Sequence, residues 1–343
     1  MKMKKLFFAA MTAVSMLFAS CSNEMDESLN VPAGNEEGAR VKISLSGGEA
    51  SVLRSFFDNT AQAELWEKTI NSLTICVYNV TRNVFTRRVL TPEELNLMHV
   101  IFSIPASQPG DICEFYAIAN VKTEVNSRSA LLELLEEENQ YNGVFHNVTI
   151  GAMRGEGFAM SGKTTKTLHD NGDLTTVSIT LRRTVAKVAV ETFVTPEFRE
   201  KYPNSELYVN SITLIHGVSS SFVIEQTPVA DMRYFIYQQP SVREEDKFNN
   251  LFYLFENGEI DKHARAKLEI NATFDLDRYN NSSTDLHPMI YTVNLGDDDG
   301  KILRNSYYRV QVNIVGLSGN EMYVEINVAD WEGPYNKTEN VGI

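Results

Sequence analysis

The apolar positions of this chain recur mostly with a period of two, the spacing of a strand with one buried face. Val41, Ile43 and Leu45 alternate with Lys42, Ser44 and Ser46. The pattern breaks at Gly47-Gly48 and runs through small residues to Arg54, so a short strand hangs on a protease-accessible loop. Ile70 to Asn79 predicts a second strand, with Asn83 to Val89 as its partner, and Cys113 to Asn120 another after a Pro109-Gly110 turn. Val144 to Ile150, Val177 to Arg183 and Val185 to Val194 are β-rich, with Asp170-Asn-Gly-Asp173 expected as a hairpin turn. Seven further runs follow: Leu207 to His216, Phe222 to Gln226, Phe248 to Phe255, Ala266 to Asp275, Ile290 to Leu295, Tyr307 to Val315 and Met322 to Val328.

Helical signals are few. Ala63 to Lys68 and Glu197 to Tyr202 predict single turns. Thr91-Pro-Glu-Glu94 is a capping box opening a short helix from Pro92 to Met98. Ser129 is placed to cap an amphipathic helix over Ala130 to Gln140, with Glu136-Glu137-Glu138 on or beside its wet face. Many short strands, regular turns and little helix predict a mainly β protein: two antiparallel β-sandwich domains in tandem with a few short helices. The expected division is 55–184 and 185–343, the two meeting near Arg183–Val185.

Charge narrows the partners. The net charge is −14, and residues 1–54 contribute six cations and six anions, so the excess belongs to the main body. Such a surface argues against nucleic acid and against electrostatic docking on anionic lipid. The first residues read as an address: Lys2, Lys4 and Lys5 precede the apolar run Leu6 to Phe18, too short to span a membrane. Phe18-Ala19-Ser20-Cys21 resembles a bacterial lipobox, with Cys21 as the lipidated residue, and an acidic Ser-Asn-Glu-Met-Asp-Glu follows. Residues 22–39 read as a tether.

Candidate chemistry changes little. Gly157-Phe-Ala-Met-Ser-Gly-Lys163-Thr164 matches the P-loop pattern, yet β-branched residues and a turn follow where a phosphate-binding helix is required. Gly296 to Gly300 gathers three carboxylates but lacks the later bidentate glutamate of a calcium loop, so a solvated turn is expected. The six histidines are dispersed, and neither a zinc spacing nor a catalytic constellation emerges. The expectation is a non-enzyme with no cofactor and no metal. Cys76 and Cys113 both fall on strands, and spacing allows either a bridge or two separate thiols.

Phe158-Ala-Met-Ser-Gly162, Leu181-Arg-Arg-Thr-Val-Ala-Lys-Val188, Phe252-Tyr-Leu-Phe-Glu-Asn257, Ile302-Leu-Arg-Asn-Ser-Tyr-Tyr-Arg-Val310 and Val324-Glu-Ile-Asn-Val-Ala-Asp-Trp331 occur in that order. Together they resemble the fimbrillin family, the lipoprotein-derived subunits of the type V pili of Bacteroidetes. The resemblance implies a two-domain β-sandwich subunit of a cell-surface fimbria, anchored in the outer membrane by lipid before processing. It further implies a cut after Arg54 by an extracellular arginine-specific protease, loss of the strand carrying Val41, Ile43 and Leu45, and polymerisation when a strand of another fimbrial subunit fills the groove. Two donors are open. Val324, Ile326 and Val328 alternate much as the first strand does, and the tail from Gly333 to Ile343 offers Tyr335, Val341 and Ile343. The alternatives are an accessory tip adhesin or anchor, and a monomeric glycan-binding surface lipoprotein using Trp66, Trp331 or Tyr335.

Overall fold

In the computed structural model the residues described are 38–46, 63, 65–122, 124–137, 157–169, 174–227, 233–258, 264–280, 282–296, 298–331 and 333–341. Glu36–Ile343 forms one compact unit. Its first half contains β1 (Gly38–Ser46), α1 (Leu65–Lys68), β2 (Leu73–Asn79), β3 (Val84–Val89), α2 (Pro92–Leu97), β4 (His99–Pro105), β5 (Ile112–Ala119), α3 (Arg128–Leu132), β6 (Leu135–Glu137), β7 (Met160–Thr167), β8 (Thr175–Thr180) and β9 (Arg182–Arg183). A three-stranded sheet, β4–β1–β8, and a five-stranded sheet, β3–β2–β5–β7–β9, bury their apolar faces in one shared core. This core holds Val41 and Ile43 beside Ile75, Val77, Phe102, Phe115, Val177 and Ile179.

The second half contains β10 (Val185–Val194), α4 (Pro196–Lys201), β11 (Glu206–Val218), β12 (Ser220–Phe222), β13 (Tyr234–Pro240), β14 (Val242–Glu244), β15 (Lys247–Phe255), β16 (Lys267–Asp275), β17 (Leu286–Asn294), β18 (Ser306–Ile314), β19 (Met322–Asp330) and β20 (Gly333–Val341). A six-stranded sheet, β14–β15–β10–β18–β19–β20, packs against a four-stranded one, β13–β11–β16–β17, around a second core. Strands β12 and β6 pair with each other and so tie one half of the chain to the other. The fold is mainly β, built of sandwiched sheets, as the alternating pattern predicts. Each sandwich contains one parallel pair, β1 with β8 and β10 with β18, among otherwise antiparallel ladders.

Local chemistry explains the elements. The Thr91 hydroxyl accepts from the Glu94 amide while the Glu94 carboxylate accepts from the Thr91 amide, and Pro92 opens α2. Pro109 and Gly110 make a turn closed by Asp111 N–H donating to the Gln108 carbonyl at 3.1 Å, with Gly110 at φ +87°.

Two expectations need correction. The helix predicted over Ala130 to Gln140 ends at Leu132, with Ser127 as its cap, and Leu135–Glu137 is a strand. Pairing with Ser220–Phe222 overrides helical propensity there, and Glu136 is buried rather than on a wet face. β7 and β8 lie in different sheets, and the turn expected at Asp170 to Asp173 and the run Val144 to Ile150 lie outside the described residues. Finally, only Ser220–Phe222 is strand where Phe222 to Gln226 was expected, and β4, β13 and β14 carry no expectation from the sequence.

Candidate site around the first strand

β1 is the middle strand of its sheet. It pairs antiparallel with β4, from Gly38 opposite Pro105 to Ser44 opposite His99, and parallel with β8, from Val41 opposite Thr175 to Ser46 opposite Thr180. β4 and β8 are not bonded to each other. The alternation in the sequence sets the facing: Val41 and Ile43 are fully buried and Leu45 packs partly buried against the same core, while Arg40 is exposed.

The two ends of the strand are fitted closely. Gly38 approaches the Ile104 carbonyl so nearly that a Cβ there would fall 2.0 Å from the oxygen. The Ala39 amide donates to Ser107 Oγ at 2.9 Å, and that hydroxyl donates to the Ile104 carbonyl at 2.6 Å. At the other end the Leu45 amide donates to the Met98 carbonyl at 3.0 Å. Met98 is the left-handed residue that ends α2, so the capping box positions one end of the cradle. Cys21 and Arg54 lie outside the described residues. Arg40, the other arginine near this strand, is in the ladder itself, opposite Ser103.

The alternating segment near the C-terminus has partners in its own chain. β19 is bonded to β18 along its whole length and to β20 on the other side. Ile326 is buried in the second core, with Val324 and Val328 packed against it. Among the described residues β20 is the edge of the sheet and pairs with β19 alone, with a register shift between Val328 and Asp330. The sequence contains a signal for β4 in Val100, Phe102 and Ile104, which alternate and are all buried.

The other sequence motifs take structural places. Lys163 of the P-loop-like run lies on β7, paired to β5, and its ammonium donates to the Glu225 carbonyl at 3.0 Å. Within the Gly296–Gly300 turn the Asp298 carbonyl accepts from Arg265 Nη2 at 2.6 Å, and both glycines are left-handed. Cys76 and Cys113 are separate thiols. They sit on adjacent strands but face opposite sides of the sheet, Cys76 toward Tyr116 and Ile118 and Cys113 toward the first core. Burial pushes both thiols up to about 12.

No protein-family profile matches the chain, and no curated protein is similar to it. Solved structures are similar in fold. A fimbrillin from Porphyromonas gingivalis superposes with a TM-score of 0.58 at 16% identity, covering 87% of this chain and 99% of that one. A candidate cell adhesion protein from Bacteroides eggerthii gives 0.57 at 13% identity, covering 86% and 97%. A tip fimbrial protein from Porphyromonas gingivalis, truncated at its C-terminus, gives 0.52 at 14% identity, covering 85% and 100%. The chain has a fimbrillin-like fold.

Proposed function

We propose that the chain is a non-enzymatic structural subunit of a cell-surface fimbria. In this reading it is exported as an outer-membrane lipoprotein on Cys21 and cut after Arg54 by an extracellular arginine-specific protease. It then polymerises when a C-terminal strand of one copy takes the place of β1 in the next. The observation that carries the reading is the position of β1 as the sole link between β4 and β8. Its loss leaves unpaired backbone along two strands, a template for an added strand. Burial of Val41, Ile43 and half of Leu45 contributes roughly 4–7 kcal/mol. Domain stabilities are only about 5–15 kcal/mol, so a subunit without β1 is poorly stable until the gap is refilled. Arg54 suits the cut better than Arg40, because cutting at Arg40 leaves most of the strand attached.

For the donor, position and pattern point to different strands. Val324, Ile326 and Val328 have the better apolar alternation, but withdrawing β19 takes Ile326 out of its own core. β20 is nine residues long, like β1, and lies at the edge of its sheet, paired to β19. In an extended strand Tyr335, Val341 and Ile343 share one face. We assign the exchange to β20.

The test is native trypsin treatment of the precursor lacking residues 1–21. Cutting at Arg54 followed by an SDS-resistant ladder supports the stalk subunit; resistance of Arg54 in the folded protein refutes the processing step. A second reading, an accessory tip adhesin, is favoured by the polar run Asn336 to Asn340, a poor filler for an apolar groove. It predicts a clean cut without a ladder.

A further inference from the structure

At the passage between the two halves of the chain, a buried cluster surrounds Trp331, the residue that precedes the C-terminal strand by two positions. Its indole is fully buried. The Arg183 guanidinium covers one face at 4.3 Å, the Tyr253 ring stacks on it at 6.0 Å and 18°, and the Lys187 ammonium lies 5.8 Å from its centre. The Trp331 amide donates to the Asn305 carbonyl at 3.0 Å, whereas indole Nε1 has no hydrogen-bond partner among the described residues. The ring is therefore held by its faces.

Three of the side chains around the indole are tied to one residue. Lys187 Nζ lies 2.7 Å from Glu67 Oε1, the Tyr253 hydroxyl donates to the same oxygen at 2.7 Å, and Arg183 Nε donates to the Glu67 carbonyl at 2.9 Å. Glu67 and Lys187 are almost wholly buried, at 0% and 3% side-chain exposure. Glu67 belongs to α1, beyond Arg54, so a cut there leaves the whole cluster in place.

We propose that Trp331 is the fixed root of the C-terminal strand and that the Glu67–Lys187 pair pins it, so that the segment able to leave its own sheet begins after Trp331 and consists of β20 without β19. The inference rests on the strand-exchange reading for its purpose but not for its test. β19 is held on both flanks and at its end, whereas among the described residues β20 is held along one flank. In a fibre, the same cluster carries tension from an inserted strand into the passage between the sandwiches. Because Glu67 lies on the segment that becomes the new N-terminus, the two ends of a processed subunit are joined at one point.

Hydrogen exchange of the uncut precursor lacking residues 1–21 tests this without polymerisation. The amides of Gly333–Val341 are expected to exchange at least about 100-fold faster than the β19 amides bonded to β18. Lys187→Met is expected to speed exchange around Ala329 to Trp331 and to narrow that ratio. Trp331→Phe, which keeps a stacking face and loses no hydrogen bond, is expected to preserve it. If Lys187→Met does not fold, Glu67→Gln, closest in shape to the native side chain, is read in its place. Equal exchange of β19 and β20 in the parent protein overturns the proposal, as does unchanged exchange at Ala329 to Trp331 in the folded pin variant. A failure of strand exchange shows instead as an absent ladder after the Arg54 cut.

Discussion

Ile43 of β1 stands in register with Val177 of β8, and the two strands run parallel. A parallel neighbour cannot be reached by a tight turn. The antiparallel neighbour, β4, is equally remote, since β2, β3 and α2 intervene in the chain. The middle strand of the first sheet is therefore tied by no hairpin to either partner. A strand of the same length from another molecule meets no topological obstacle in taking its place, provided it runs antiparallel to β4 and parallel to β8. It must also bring a glycine, or the chain must shift, where Gly38 meets the Ile104 carbonyl.

The apolar face of β1 is expected to hold the precursor together. Ile43→Ala should lower its stability by about 2–5 kcal/mol, the cost of a cavity in a closed core. Ser44→Ala, on the wet face, should stay within about 0.5 kcal/mol. Urea unfolding of the precursor lacking residues 1–21 measures both, and equal effects would contradict the facing of the strand.

The two thiols should be unreactive in the folded protein and both titratable once it unfolds, with no bridge on a non-reducing gel. Each is held protonated to about 12 by burial, against an ordinary value of 9.0. Above about pH 9 the unfolded chain gives up protons that the folded one keeps, so the folded state binds more protons and stability falls as pH rises. The slope from each thiol approaches about 1.4 kcal/mol per pH unit between those values. Cys76→Ala with Cys113→Ala should flatten the alkaline decline, as read by the urea midpoint against pH.

The buried pair under Trp331 should be costly to break from either side. Lys187→Met leaves the Glu67 carboxylate buried without its ammonium, and about 3–5 kcal/mol of destabilisation is expected. Trp331→Ala should cost about 3–5 kcal/mol through lost packing. Because the residues are in contact, the double variant should fall short of the sum of the two losses, and a double-mutant cycle reads the coupling.

Much of the fold was legible because strands with one wet face announce themselves. β1, β2, β5, β10, β16 and β18 follow from alternation or from apolar runs, and α2 from its capping box. β13 and β14 were not legible: Tyr234-Phe-Ile-Tyr237 runs without apolar–polar alternation, Val242 is the one apolar residue of β14, and pairing with β11 and β15 makes them strands. β6 went unseen for a related reason, since Leu-rich sequence favours a helix and only the distant Ser220–Phe222 partner reverses that preference. The candidate site was half legible. Val41 and Ile43 face the core as their spacing predicts, but nothing in the sequence says that Val177 is their neighbour. No spacing in the sequence links Glu67 to Arg183 and Lys187, and only the fold brings them around one indole.

In the proposed exchange β1 leaves and a second copy refills its place. Native mass spectrometry of the precursor lacking residues 1–21, after cutting at Arg54, counts the fragment 22–54 in each assembly. An assembly of n subunits built by strand exchange keeps at most one such fragment, in the copy whose groove no neighbour fills. Assemblies of n subunits that retain n fragments would show copies associating with β1 still in place, and would contradict the account.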